Sequence, residues 1–220
     1  MKKYIGYLCF FALIFGVSTQ IASEVPFFNF LTNKAKTGNV QSQATLGWMY
    51  FKGHGVSQDY KEAAKWYLKA AKQGNTGAQT KLGEMYVAGR GVSQNYTEAA
   101  KWYLKAAKKG NPVAQNNLGA LYQNGQGLSQ NYKKAAKWYL EAANKGNEVA
   151  QSNLGRMYLS GQGVKKDYTA AYMWFVLAEV QNHKTASKDL DMAASKMNPE
   201  QIAKGKQLAM KWREKHISLL

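Results

Sequence analysis

Cysteine is almost absent from this 220-residue chain: Cys9 is the only one. A disulfide framework is therefore excluded, because one thiol has no partner within the chain. Cys9 is not read as a lipid attachment site either. Leu8 stands where a small residue is needed, and too little apolar sequence lies upstream. Histidine is scarce: His54, His183 and His216 lie far apart, with no spacing that gathers metal ligands or a nucleophile and its base. No catalytic, metal or cofactor-binding residue is assigned, and no enzymatic activity is expected. Acidic residues number 13 against 30 lysines and arginines, a formal net charge of +17. The bland reading of that excess is a solvated polar face, and the sharper one is attraction to anionic polymers or head groups.

The first residues are Met1-Lys2-Lys3, followed by an apolar stretch from Tyr4 to Val17 and by Ile21-Ala22-Ser23 before Glu24. That layout is expected to be a bacterial secretory signal peptide, 1–23, cleaved after Ser23. The apolar core is short for a membrane span. The mature protein is expected to be periplasmic or secreted, with no transmembrane span.

What the sequence has in abundance is repetition. Gly47, Gly83, Gly119 and Gly155 are spaced 36 residues apart, and so are Trp66, Trp102, Trp138 and Trp174. A fixed period of this length marks a stack of identical supersecondary units. In the second copy, Gly74-Asn75 supplies a left-handed residue and then an N-cap. Helix A carries an apolar stripe of Ala78, Leu82, Met85 and Tyr86. Gly83 beside that stripe costs roughly 1 kcal/mol of helix propensity, so a neighbour is expected to approach too closely for a side chain. Gly89-Arg90-Gly91 ends the helix. These Gly-x-Gly loops follow the negative end of a helix and so are turns, not phosphate cradles. Asp59 with Glu62 and Asn95 with Glu98 read as capping boxes opening helix B. Helix B buries Tyr96, Ala99, Ala100, Tyr103, Ala106 and Ala107.

The pattern A-x-x-x-L-G-x-M-Y, then G-x-G-V-x-x-[DN]-Y, then A-x-W-Y-x-x-A-A-x-x-G closely resembles the Sel-1-like repeat, a relative of the tetratricopeptide repeat. The resemblance implies an all-α fold, a right-handed superhelical solenoid of helix-turn-helix repeats. It also implies an adaptor role toward another protein or peptide. Repeats are expected at 38–73, 74–109, 110–145 and 146–181. A cap helix, 24–37, would bury Phe27, Phe28, Leu31 and Ala35. A degenerate repeat and cap helices, 182–220, would cover Met173 and Leu177 with Leu190, Ile202, Ala203, Ala209 and Trp212. Some secreted members staple each repeat with a cysteine pair. This chain departs from them, which weakens the alternative of a peptidoglycan- or β-lactam-acting enzyme.

Tetratricopeptide-like solenoids line a concave groove with helix A, so the columns that vary there are the candidate binding surface: Trp48, Phe51, Thr80, Glu84, Val87, Asn116, Gln123, Arg156 and Leu159. Trp48 and Phe51 are expected to share one exposed face, and exposed aromatics are frequent binding hot spots. On helix B, Lys65, Lys69, Lys101, Lys105 and Lys137 form a basic face for anionic envelope polymers. Nucleic acid is not expected, since no aromatic residues interleave that lysine column.

Overall fold

A computed structural model describes residues 19–216, and among them there are eleven helices and no strand. They are α1 (Thr19–Lys36), α2 (Val40–Lys52), α3 (Tyr60–Lys72), α4 (Thr76–Ala88), α5 (Tyr96–Lys108), α6 (Pro112–Asn124), α7 (Tyr132–Ala143), α8 (Glu148–Ser160), α9 (Tyr168–Val180), α10 (Ala186–Ala194) and α11 (Pro199–Lys215). The A helices are α2, α4, α6 and α8, and the B helices that follow them are α3, α5, α7 and α9. The chain divides into two compact units: the described residues up to Met85 with Gly89–Ser93, and Tyr86–Ala88 with everything from Gln94 on.

Each A helix opens in the same way. Asn39, Asn75, Asn111 and Asn147 hold extended backbone and accept the amide three residues on, in Ser42, Ala78, Ala114 and Ala150. The B helices start on Asp59, Asn95, Asn131 and Asp167. Here the expected capping boxes are only half formed. Glu62 and Glu98 turn outward to Lys65 and Lys101 instead of reaching back. The cap amides have no need of them, because Asp59 N–H donates to the Tyr50 carbonyl and Asn95 N–H to that of Tyr86. The one complete capping box joins Asn198 and Gln201 at α11.

In the first unit Leu31, Ala35, Leu46, Met49 and Trp66 form one buried cluster, with Phe28 and Tyr50 against it. Phe27, expected to be buried, is exposed. Its counterpart Ala135 in α7 lies against Gly119 of the helix before it, whereas no helix precedes α1 among the described residues. The helix itself runs back to Thr19, beyond the expected start at 24. The expected export segment lies mostly outside the described residues.

In the second unit two tight approaches fix the packing. A Cβ on Gly119 would stand 2.8 Å from the Tyr139 ring, so α6 and α7 meet ring against backbone. Gly127 has φ +67°, and a Cβ there would stand 2.3 Å from the Tyr96 carbonyl carbon. That loop therefore rests directly on the start of the previous B helix, and both conformation and space require glycine.

Helices α10 and α11 pack on α9. Leu190 and Ala193 lie with Tyr172 and Phe175, and Ile202 adds to them. Gly205 brings α11 onto Tyr172, and Trp212 meets Trp174 edge-on at 6.1 Å. Leu177 is buried in the adjoining cluster, and Met173 packs against it. Ala203, expected on the inner side, is exposed; Gly205 and Ala209 are the residues that face the packed side. Ending the chain after Gln181 would uncover Tyr172, Trp174, Phe175 and Leu177 together, each worth about 1.5–3 kcal/mol of burial. We expect that truncation to aggregate or to melt well below the full chain in a thermal scan. A soluble monomer with unchanged melting temperature would contradict it.

Candidate functional site on the A helices

The side chains of an A helix divide into three groups. Leu46, Leu82, Leu118 and Leu154 are buried on the core side. A second group is polar yet also buried: Gln43, Gln79, Gln115 and Gln151 donate to the carbonyls of Ala35, Ala71, Ala107 and Ala143 at 3.0, 2.9, 3.1 and 3.3 Å. Each of the four reaches back to the last turn of the helix before it and adds a second donor to a carbonyl that already accepts the backbone amide of Gly38, Gly74, Gly110 or Gly146. The third group is exposed, and it is the candidate surface.

The structure redraws that surface. Trp48 is 42% exposed, its ring tilted against His54 at 5.2 Å. Phe51 does not share its face: it is half-buried on Tyr60 at 5.3 Å. Thr80 and Asn116, expected to line the groove, are buried. The Thr80 hydroxyl donates to the Thr76 carbonyl. Asn116 accepts from Asn153 of α8 at 3.0 Å, and the equivalent Ser152 donates to Asp189 of α10. Asn116 and Ser152 thus face the next A-type helix of their own unit, which covers them. Glu84 is paired with Lys81 at 2.7 Å. Val87 packs into the core beside α5. Gln123 accepts the Tyr139 hydroxyl at 2.7 Å. Arg156 is bound by Asp189 at 2.7 and 3.3 Å and by Thr185 at 2.7 Å. Leu159 packs against the Tyr172–Phe175 cluster.

Sequence reasoning therefore found Trp48 and missed its true neighbours. The exposed stripe runs through Gln41, Thr45 and Trp48 in α2, and through Gly77 and Lys81 in α4. In the second unit it runs through Val113 and Asn117 in α6, and Val149 and Asn153 in α8. At about 100° per residue, this arc is turned by roughly 60° from the expected one. The spacing i, i+4, i+7 of Gln41, Thr45 and Trp48 was the available signal.

In the first unit the stripe holds a shallow depression of about 400 Å³, with Ala44, Trp48, Tyr67 and Ala78 as apolar walls and Gln41 and Lys81 at the rim. Burial pushes the Tyr67 phenol well above the usual tyrosine range, with Glu84 adding to the shift. The same burial acts on Tyr139. Both rings are neutral walls at any physiological pH.

The expected basic face is largely engaged. Lys65 and Lys101 pair with Glu62 and Glu98 at 2.5 and 2.6 Å. Lys69 and Lys105 lie over the Trp66 and Trp102 rings at 4.1 and 4.2 Å. Lys137 is exposed on α7, where Lys134 replaces the glutamate of the first two repeats. The histidines stay apart: His54 is on Trp48, His183 near Thr185 and His216 stacked on Trp212. The Thr185 hydroxyl is already held between Arg156 and Asp189. Among the described residues no group of three His, Cys, Asp or Glu is placed to hold a metal ion. Among the same residues no helix is long and apolar enough to cross a membrane.

Paired helices at a fixed 36-residue step, packed in chain order within each unit, define a helical-repeat protein of the tetratricopeptide-like class. The model of the Sel1 repeat matches residues 40–75, 76–111, 112–147 and 149–179, and the chain belongs to that family. Its register starts two residues after the one expected from the glycines. The fold is similar to that of c5321, a protective antigen present in uropathogenic Escherichia coli strains. That match has a TM-score of 0.81 at 32% identity, over 86% of this chain and 41% of that one. This chain thus spans about two fifths of that protein's length. A Sel1 repeat protein from Oxalobacter formigenes matches with a TM-score of 0.68 at 35% identity, over 80% of this chain and 74% of that one. An immunity protein from Pseudomonas aeruginosa, Pa5087, shares the fold at 20% identity and a TM-score of 0.52, over 84% of this chain and 73% of its own. Among curated proteins, none matches. Sel1 repeat proteins are generally protein-interaction scaffolds, and typically non-catalytic ones.

Arg156, taken from the candidate surface, is instead tested as a structural residue. Its removal leaves the buried Asp189 carboxylate without its cation, at a cost of about 1–3 kcal/mol. We expect Arg156→Ala to lower the denaturation midpoint, and Asp189→Asn in the same background to recover part of the loss. A midpoint equal to wild type would show that the pair contributes nothing.

Proposed function

We propose that this chain is a non-catalytic scaffold, exported from a bacterial cell, that holds another protein or peptide against the exposed stripe of its A helices. One observation carries the reading. The buried positions repeat with little change, as in the leucine and glutamine columns, while the outward ones do not: Gln41, Gly77, Val113 and Val149 stand at one exposed position, and Thr45, Lys81, Asn117 and Asn153 at the next, where Lys81 is exposed and the others half-buried. A constant frame carrying different side chains at each step is the arrangement that reads a partner along its length. Val113 and Val149 add exposed apolar surface of the kind that partners cover.

The test is photo-crosslinking in cells, with a benzoyl-phenylalanine at position 45 or 117 on the stripe, or at 65 or 137 on the B helices. A discrete crosslinked protein is expected from the stripe positions alone. Crosslinks only from the B helices would favour the lysine face and overturn the reading.

Export is supported by the basic start, the apolar stretch from Tyr4 to Val17 and the small residues Ala22-Ser23. The likeness to a protective antigen fits a protein that meets a host, and envelope processes are the other setting that suits an exported scaffold. We expect the protein recovered from the periplasm or medium to begin at Glu24 on N-terminal sequencing. Full-length protein confined to the cytoplasm would refute export and leave the binding stripe untouched.

A further inference from the structure

The depression in the first unit owes its shape to a missing side chain. Gly77 stands in the first turn of α4, where α6 and α8 carry Val113 and Val149 and α2 carries Gln41. Glycine weakens a helix relative to alanine, so its presence needs a reason. At Gly119 and Gly127 the reason is steric, but here it is not. Gly77 has no positive φ, and a Cβ there would meet only the Asn75 Oδ1, at an ordinary contact distance of 3.4 Å. Within the described residues the fold accepts a side chain at 77. What the glycine does is leave the space between Trp48 and Tyr67 open.

The open space is chemically defined. Ala44, Trp48, Tyr67 and Ala78 make it apolar, and its roughly 400 Å³ lies at the lower end of pockets that take ligands. It is shallow, which suits a side chain from a segment lying across the helices. The one charged residue in the lining is Lys81, and no carboxylate lines the space. Helix α2 contains no acidic residue and ends on Lys52. The one carboxylate of α4, Glu84, is already paired with Lys81. The whole chain carries 30 basic residues against 13 acidic.

We propose that the Trp48–Tyr67–Gly77 depression is a specificity pocket for an apolar side chain presented by an acidic segment of the partner. This rests on the reading of the A-helix stripe as the binding surface. The exposed indole forms one wall, the apolar residue replaces water in the space that Gly77 leaves, and a flanking carboxylate takes Lys81 at the rim in exchange for its solvent-exposed contact with Glu84.

The experiment uses the full chain and three capped pentapeptides: Glu-Glu-Leu-Glu-Glu, the same peptide with Ala in the middle, and Lys-Lys-Leu-Lys-Lys. The readout is the NMR shift of the Trp48 indole N–H, assigned with Trp48→Phe. The acidic leucine peptide is expected to shift it saturably. The alanine peptide should bind on the order of tenfold more weakly, from the lost burial of one leucine. The lysine peptide should give no shift. Gly77→Val fills the pocket with the side chain that α6 and α8 carry, and should abolish binding at an unchanged melting temperature. If that variant melts early, Gly77→Ala is the substitute, with a partial loss expected. Equal binding by the three peptides, or wild-type binding by both variants, would overturn the proposal. So would a wild-type dimer that Gly77→Val dissolves, since the occupant would then be a second copy of the chain. Stripe crosslinks that persist in Gly77→Val, with no peptide effect, sink the pocket alone; absence of stripe crosslinks sinks the function itself.

Discussion

Everything in this fold depends on how closely an A helix can approach the B helix that follows it. The limit is set by an aromatic ring packed on a glycine: Tyr67 on Gly47, Tyr139 on Gly119 and Phe175 on Gly155, each closer than a Cβ would allow. The helix loses propensity at each glycine, but burying a large ring against bare backbone outweighs roughly 1 kcal/mol per site. The ring is also what the outer surface is built on. Tyr67 is at once the spacer of α2 and α3 and a wall of the first-unit depression. Frame and candidate site are therefore the same side chain seen from two sides.

The glutamine hooks solve the next problem. The carbonyl that each hook reaches already accepts the glycine amide three residues on, so the side-chain amide adds a second donor there and ties two helices together. Gln43 and Gln151 do this most completely, since their carbonyl oxygens accept in turn from Gln73 and Gln181 at 2.8 and 2.9 Å. Gln115 makes only the donor half, its oxygen being buried without a hydrogen-bond partner. The hook fixes each A helix to the end of the B helix before it, while in α2, α6 and α8 the ring on glycine fixes it to the B helix after it. Between them the two contacts leave one arc of each A helix unclaimed.

The fold was readable in the sequence because each signal it needs is local. The N-cap asparagines, the left-handed glycines and the apolar stripes act within one helix or one turn, and the 36-residue step multiplies them. The candidate site was much less readable. A helix wheel treats Thr80, Asn116 and Ser152 as polar surface, yet they are buried, and for Asn116 and Ser152 it is a neighbouring helix that covers them. The glutamine column misleads in the same way, its amide group being taken inward by a carbonyl on another helix. Phe51 and Val87 fail for the opposite reason: nothing in their own helix predicts that Tyr60 or α5 will take them. Trp48 is exposed as expected, with only the His54 ring tilted against it.

This separation also explains where the exposed stripe ends. In α8 the residues that continue the arc toward its C-terminal side, Ser152 and Arg156, are bound to Asp189 of α10, so beside Val149 and Asn153 the last repeat shows a guanidinium that is exposed but already paired. The terminal helices thus do two things with one set of contacts. They cover the apolar side of α9, where Leu177 replaces the lysine of earlier repeats. They also neutralise the arginine that would otherwise give the stripe a strong positive end. On the proposed function, the first unit offers a partner an exposed indole beside an unfilled space, and the second unit by itself offers valine and amide side chains.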